Sequence, residues 1–190
     1  MVLSDMIFIT INKVSTIFFV YNAAQVMYYT PTIYKSFDNL NLSNTLGSLI
    51  AFYLFYDFFY LCFHQFLHLR AIYPLIHKHH HRQKAPSRGN ADAINVHPIE
   101  FLGGEYLHLL TIYLIPCHLY TAILFILFGG VLASLNHTRF DVNIPGIYSV
   151  KAHDVHHRMP ESNYAQYTMI WDKLFGSYRS YSETEKVHAD

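Results

Sequence analysis

The stretch His77-Lys78-His79-His80-His81 decides how this chain is read, and it has a twin at His153-Asp154-Val155-His156-His157. Both put histidines at positions i, i+3 and i+4, which share one face of an α-helix because 3.6 residues make a turn. A third group, His64-Gln65-Phe66-Leu67-His68, sets two imidazoles at i and i+4 on one face. Imidazoles crowded together repel when protonated, so such faces favour neutral rings around a shared cation. The pattern predicts a polynuclear metal centre.

The count of ligands sharpens this. Of the 14 histidines, nine fall in the three groups or at His137: His64, His68, His77, His80, His81, His137, His153, His156 and His157. One zinc ion is satisfied by four ligands, and a catalytic zinc by three. Nine imidazoles suit two metals, and iron is the natural choice where imidazole-rich ligation meets O₂ chemistry. His97, just before Pro98, stays open as a tenth ligand or a loop residue. His79, His108, His118 and His188 lack a shared face and are read as non-ligands. Glu100 and Asp154 are candidates to orient imidazoles, against the simpler reading of solvated carboxylates.

Outward from these groups the chain is apolar. Charged residues make up 14% and hydrophobic residues 52%, with 13 basic residues balancing 13 acidic ones. Soluble domains carry about 25% charged residues. The deficit points to a membrane, and the balance argues against a nucleic-acid partner. Residues 6–29 read as a marginal membrane helix interrupted by Lys13. Leu46 to Phe63 is long enough to cross most of a bilayer, with His64 and His68 continuing that helix. Asp57 shares the face of His64 and reads either as an outer acceptor for the histidines or as a helix–helix hydrogen bond. Pro74 is expected to break the helix and start the next one, carrying His77, His80 and His81.

Phe101 to Leu135 would span roughly 50 Å as one helix, too long for a single crossing. Pro116 near its middle predicts two short passes that return the chain to the side it left. Gly129-Gly130 would permit close helix packing. The aromatic belt from Phe52 to Tyr60 reads as lipid-facing, and Cys62 and Cys117 as buried free thiols. Lys78, Arg82, Lys84 and Arg88 place the histidine end on the cytosolic side. The basic, aromatic tail after Asn136 is expected to fold as short helices over the metal site. The reading is all-α: an integral membrane helical bundle of about three to four membrane helices with a cytosolic helical cap holding a histidine-rich dimetal site. Residues 1–181 form one domain, its motif core at 57–178, and 182–190 a frayed tail.

Taken in order, these motifs resemble the membrane-bound fatty acid hydroxylase and sterol desaturase superfamily. The resemblance rests on His64-x3-His68, His77-x2-His80-His81, His97-Pro98-Ile99-Glu100, Asn136-His137, His153-x2-His156-His157, Asn163-Tyr164 and the ending Trp171 to Tyr178. Gln65 and Ala165 depart from the family's usual residues, at positions that are not ligands. The resemblance implies a non-haem di-iron enzyme of the endoplasmic reticulum membrane. It would use O₂ and two electrons, from cytochrome b5 or a reductase, to hydroxylate or desaturate a lipid such as a sterol or fatty acyl chain. Two other readings are a membrane metal carrier or buffer, and a catalytically silent relative.

Overall fold

The computed structural model describes residues 2–183; the expected tail lies outside them apart from residues 182 and 183, as does His188. The first apolar run forms α1 (Leu3–Tyr29), which ends at an extended Thr30 because Pro31 disfavours helix in the residue before it. A two-residue strand, β1 (Ile33–Tyr34), follows, and a wide turn over Ser43–Gly47 leads into α2 (Ser48–Leu67). A short α3 (Asn90–Ala93) precedes α4 (Pro98–Leu114). Pro98 occupies its first turn, where no N–H is needed, and the His97 ring accepts from the Ile99 N–H at 3.2 Å. Pro116 then divides the second apolar block as expected. After β2 (Cys117–His118) the chain returns as α5 (Leu119–Leu135). The tail carries the hairpin β3 (Asn143–Ile144) and β4 (Tyr148–Ser149), then α6 (Val150–Arg158) and α7 (Ile170–Phe175).

The long helices alternate in direction. The start of α1 lies at the histidine end, where Asp5 Oδ1 is 3.3 Å from His79 Nε2 and Phe8 packs edge-on against His79 and His97. α2 ends at that side, α4 begins there and α5 ends there. At the opposite end β1 and β2 pair in parallel and join the α1–α2 connection to the α4–α5 turn. The Ser48 hydroxyl donating to Pro116 O at 2.7 Å and the Thr121 hydroxyl donating to Asn44 O at 3.1 Å reinforce that junction.

Two helices are long and apolar enough to cross a membrane, Leu3–Tyr29 and Ser43–Leu67, with mean hydropathies of 1.5 and 1.6. Only 17% and 28% of their most apolar windows are buried within the protein, so these are not the core helices of a soluble domain. α5 is apolar too but has 17 residues. The strands are two residues each, so the fold is all-α in substance.

Several expectations are corrected. Residues 69–79 form a succession of turns, and His80–Arg82 a single 3₁₀ turn, in place of a helix started by Pro74. Tyr73 O receives both His77 N (3.1 Å) and Lys78 N (2.8 Å), a widening of the turn next to a proline that supplies no N–H. Phe52 and Tyr56 do not face lipid: they are buried against Ile112, Ala122, Phe125 and Tyr167 and form the core. Cys62 is exposed on α2, whereas Cys117 is buried. α6 carries its histidines as expected, but α7 runs back along α2, its Trp171 indole donating to Leu54 O at 2.8 Å.

Asn12 joins α1 to the segment that introduces α4. It is fully buried, and its amide donates to Ile94 O at 2.8 Å and Val96 O at 2.9 Å. Asn12→Leu leaves both carbonyls without a donor. Thermal or denaturant unfolding in detergent should register a loss of about 2 kcal/mol or more.

Candidate metal centre

All nine sequence-predicted histidines come together, in two adjoining groups. His64, His68, His77, His81 and His156 form one and His80, His137, His153 and His157 the other; within each, one ring nitrogen per residue lies within 4.8 Å of all the others. The rings of His81 and His157, one from each group, are 5.3 Å apart between centroids. His97 joins neither group and caps α4, while His79 meets Asn95 Oδ1 at 2.9 Å.

The two His-x-x-His-His motifs each divide between the groups. His77 and His81 go to the five-histidine group and His80 to the other; on α6, His153 and His157 go to the four-histidine group and His156 to the first. At 100° per residue, positions i and i+4 differ by about 40°, while i+3 lies roughly 60° to the other side of i. On α6 the i,i+4 pair therefore falls in one group and the i+3 ring in the other; His77–His81, built from turns, divides the same way. In both motifs the three positions divide between two groups of rings instead of sharing one face.

The geometry fits a metal at each point. Adjacent Nε2 atoms stand 3.0 Å apart for His64–His77 and His77–His81, and 3.1–3.2 Å for His81–His156, His137–His153 and His153–His157. Ligands at right angles on a common centre, each ~2.1 Å from it, would be ~3.0 Å apart. The Nδ1 atoms fix the tautomers. His64 Nδ1 faces Tyr164 O at 2.7 Å, His156 Nδ1 faces Ser162 O at 2.7 Å, and His137 Nδ1 faces Ala133 O at 2.8 Å. A carbonyl only accepts, so each Nδ1 carries the proton and each Nε2 presents a lone pair. His77 Nδ1 is 2.9 Å from Glu100 Oε2, a close contact that is not aligned as a hydrogen bond. The His64 Nε2 lone pair thus stands 3.0 Å from His77 Nε2, inside the ring cluster, where a bound cation would meet it. His68 Nε2 is likewise buried with no hydrogen-bond partner.

The rings are also held neutral. Burial first, and neighbouring imidazoles second, push His77, His80, His81, His153 and His156 far below the ordinary histidine range. Burial lowers His68 to about 4 and His157 to about 3.

A loop not anticipated as part of the site supplies two of the orienting carbonyls. Ser162 and Tyr164 belong to a segment entered through Asn163, which has φ +51° and is tied by its amide to Ala152 O and Arg179 O at 2.9 and 3.0 Å. Asp172 accepts from Tyr164 N and Ala165 N at 2.8 and 2.9 Å. Asp57 accepts from the backbone N–H groups of Gln166 (3.2 Å), Tyr167 (2.9 Å) and Thr168. Asp57 therefore neither touches a histidine nor bridges two helices; it holds the loop that holds His64. Asp154 orients no imidazole either, since it pairs with Arg139 at 3.0 Å and Arg158 at 2.9 Å. The run Asn163-Tyr164 was the sequence signal for this loop. Nothing local identified Asp57 and Asp172 as its anchors, because their partners are backbone atoms far along the chain.

The fold and the paired histidine groups define a class of membrane metalloprotein, and comparison with known proteins gives its family. Residues 49–177 match the fatty acid hydroxylase family model. The chain is 35% identical over 132 residues to the Δ7-sterol 5(6)-desaturase of Eremothecium gossypii, covering 68% of this chain and 37% of that protein. It is 33% identical over 143 residues to the human lathosterol oxidase (73% and 47%), and 29% identical over 150 residues to the cholesterol 25-hydroxylase-like protein 1, member 2, of Danio rerio (74% and 53%). The chain spans from about a third to about half the length of these relatives. No solved structure matches. The chain belongs to the fatty acid hydroxylase family.

The lowered histidines set a pH dependence. A ring kept neutral in the fold but free to protonate near 6.5 when unfolded contributes stability that is full above about pH 6.5. That stability declines as pH falls towards the folded values of about 4 and 3 for His68 and His157. Protons also compete with metal for the same nitrogens. Both the unfolding temperature of metal-free protein and the metal retained after dialysis should fall between about pH 7 and about pH 5.

Proposed function

We propose that this chain is a membrane-bound di-iron oxidoreductase that uses O₂ and two external electrons to hydroxylate or desaturate a lipid. The observation that carries this reading is the convergence of nine neutral imidazoles, five and four, at the end of an apolar helix assembly. Family membership and the sterol-oxidising relatives support it. His64, His68, His77, His81 and His156 would hold one iron, and His80, His137, His153 and His157 the other. Iron held there supplies the O₂ activation that no side chain can provide for an unactivated C–H bond. Hydroxylation consumes O₂, two electrons and two protons and releases one water; desaturation takes the same inputs and releases two.

The protein's own residues do the rest. A cavity of about 410 Å³ runs from His80, His137 and His153 between α1, α4 and α5, past Phe19, Tyr56 and Ile126. It can admit an apolar lipid to the four-histidine group while excluding bulk water. Glu100 lines the cavity and contacts His77, so it orients that ring from the substrate side. Ser162, Tyr164 and Ala133 hold three more rings by their carbonyls.

In this reading residues 1–181 act as one domain, and α1, α2 and the shorter α4–α5 pair make up its membrane part. The histidine end faces the cytosol from the endoplasmic reticulum, because Lys78, Arg82, Lys84, Arg88, Arg139 and Arg158 gather there. Cytochrome b5 or a reductase would deliver the electrons to that side. A metal carrier would string its ligands along a crossing path; here both groups lie at one end.

Metal analysis of the purified chain should find two irons. His156→Ala and His80→Ala should each lose iron and lower lipid oxidation by more than about 100-fold, beyond the usual cost of disturbing an outer partner of a ligand. Undiminished oxidation by the His156→Ala protein would refute the reading.

A further inference from the structure

Among the polar residues that line the cavity, one carboxyl stands away from the nine clustered histidines. Glu105, on α4, lines it and makes no hydrogen bond or ion pair with any described residue. Beside it stand His108 and Tyr167. His108 Nδ1 donates to Gly104 O at 3.0 Å, which leaves Nε2 to accept the Tyr167 hydroxyl at 2.8 Å. Gly129 on α5 makes room for that pair: a Cβ there would stand 2.8 Å from the Tyr167 hydroxyl and 2.9 Å from His108 Nε2. The Tyr167 oxygen, its proton committed to His108, keeps a free lone pair. Lys13 also lines the cavity but forms no ion pair with Glu105.

The position of this patch is set by helix geometry. Glu105 is five residues beyond Glu100, which touches His77, so it lies ~7.5 Å along α4. Gly129 is eight residues before His137, or ~12 Å along α5. A carboxyl on an apolar wall costs free energy until something donates to it.

We propose that Glu105, backed by the Tyr167–His108 pair, anchors the hydroxyl of an uncharged lipid alcohol whose oxidised carbon lies roughly 8–12 Å away at the histidines. The hydroxyl donates to the Glu105 carboxylate, and the Tyr167 oxygen offers it a second acceptor. At this patch an anionic head group, such as a free fatty acid's carboxylate, meets two acceptors, and the cation that lines the cavity, Lys13, is exposed on α1. This rests on the cavity being the substrate site of the proposed oxidoreductase, and it makes Glu105 a specificity-determining residue.

The test is equilibrium binding of labelled cholesterol, its 3-methyl ether and oleate to the full chain in lipid nanodiscs. It needs neither iron nor turnover, so its result stands apart from whether the protein oxidises lipid. Wild-type protein should bind the alcohol roughly tenfold or more tighter than the ether, with oleate weakest. In Glu105→Leu the alcohol-to-ether ratio should collapse towards one while ether binding holds. In the isosteric Glu105→Gln, which also serves if the leucine variant fails to fold, the ratio should fall by a smaller factor. An unchanged ratio in a folded Glu105 variant overturns the proposal, as does wild-type protein that prefers oleate or binds no cholesterol.

Discussion

Everything in this protein depends on holding imidazole nitrogens close against one another. Nitrogens 3.0–3.2 Å apart, stripped of water and held neutral by burial, form an arrangement that no isolated helix or loop would adopt. The rest of the fold pays for it. Carbonyls from Ala133, Ser162 and Tyr164 point the rings inward. The long helices end or begin at the same side, so that residues separated by most of the chain can meet. The two-stranded junction at the far end ties both returning connections together and fixes how those helices lie relative to one another.

Support reaches the rings through a relay of backbone contacts. Asp57 sits on the helix that carries His64, yet it acts on that ring by way of the Gln166–Thr168 amides and the loop to which Tyr164 belongs. Asp172 grips the same loop from α7. A carboxylate that accepts several N–H groups fixes a loop more firmly than a single side-chain contact, since each bond removes a separate backbone freedom. The histidine groups are thus supported by residues that never approach them, and α7 lies along α2 where Asp172 can reach the loop.

Much of this was legible in the sequence because helical periodicity is a local property. The spacing of His64 and His68, the two five-residue motifs and the break at Pro116 each follow from a few adjacent residues, and all the predicted ligands converge. Periodicity also misled. It put His77, His80 and His81 on one face of a helix, whereas the chain there is a succession of turns and the motif divides between two groups. It assigned the aromatics of α2 to lipid, whereas Phe52 and Tyr56 are core, because which stripe of an apolar helix turns inward depends on its neighbours. Asp154 resembled an imidazole partner by adjacency and turned instead to two arginines. The anchors of the loop could not be read at all, since an aspartate's bond to a remote amide leaves no trace in either residue's identity.

The divided motif on α6 carries a consequence of its own. Because His153 and His157 belong to one group and His156 to the other, the spacing between the two groups is written into the pitch and girth of a single helical turn. Any twist or slide of α6 shifts its rings in both groups in concert, so the helix acts as one gauge for the pair. Inserting or deleting a residue inside the motif would not merely displace one ring; it would exchange which group each imidazole joins.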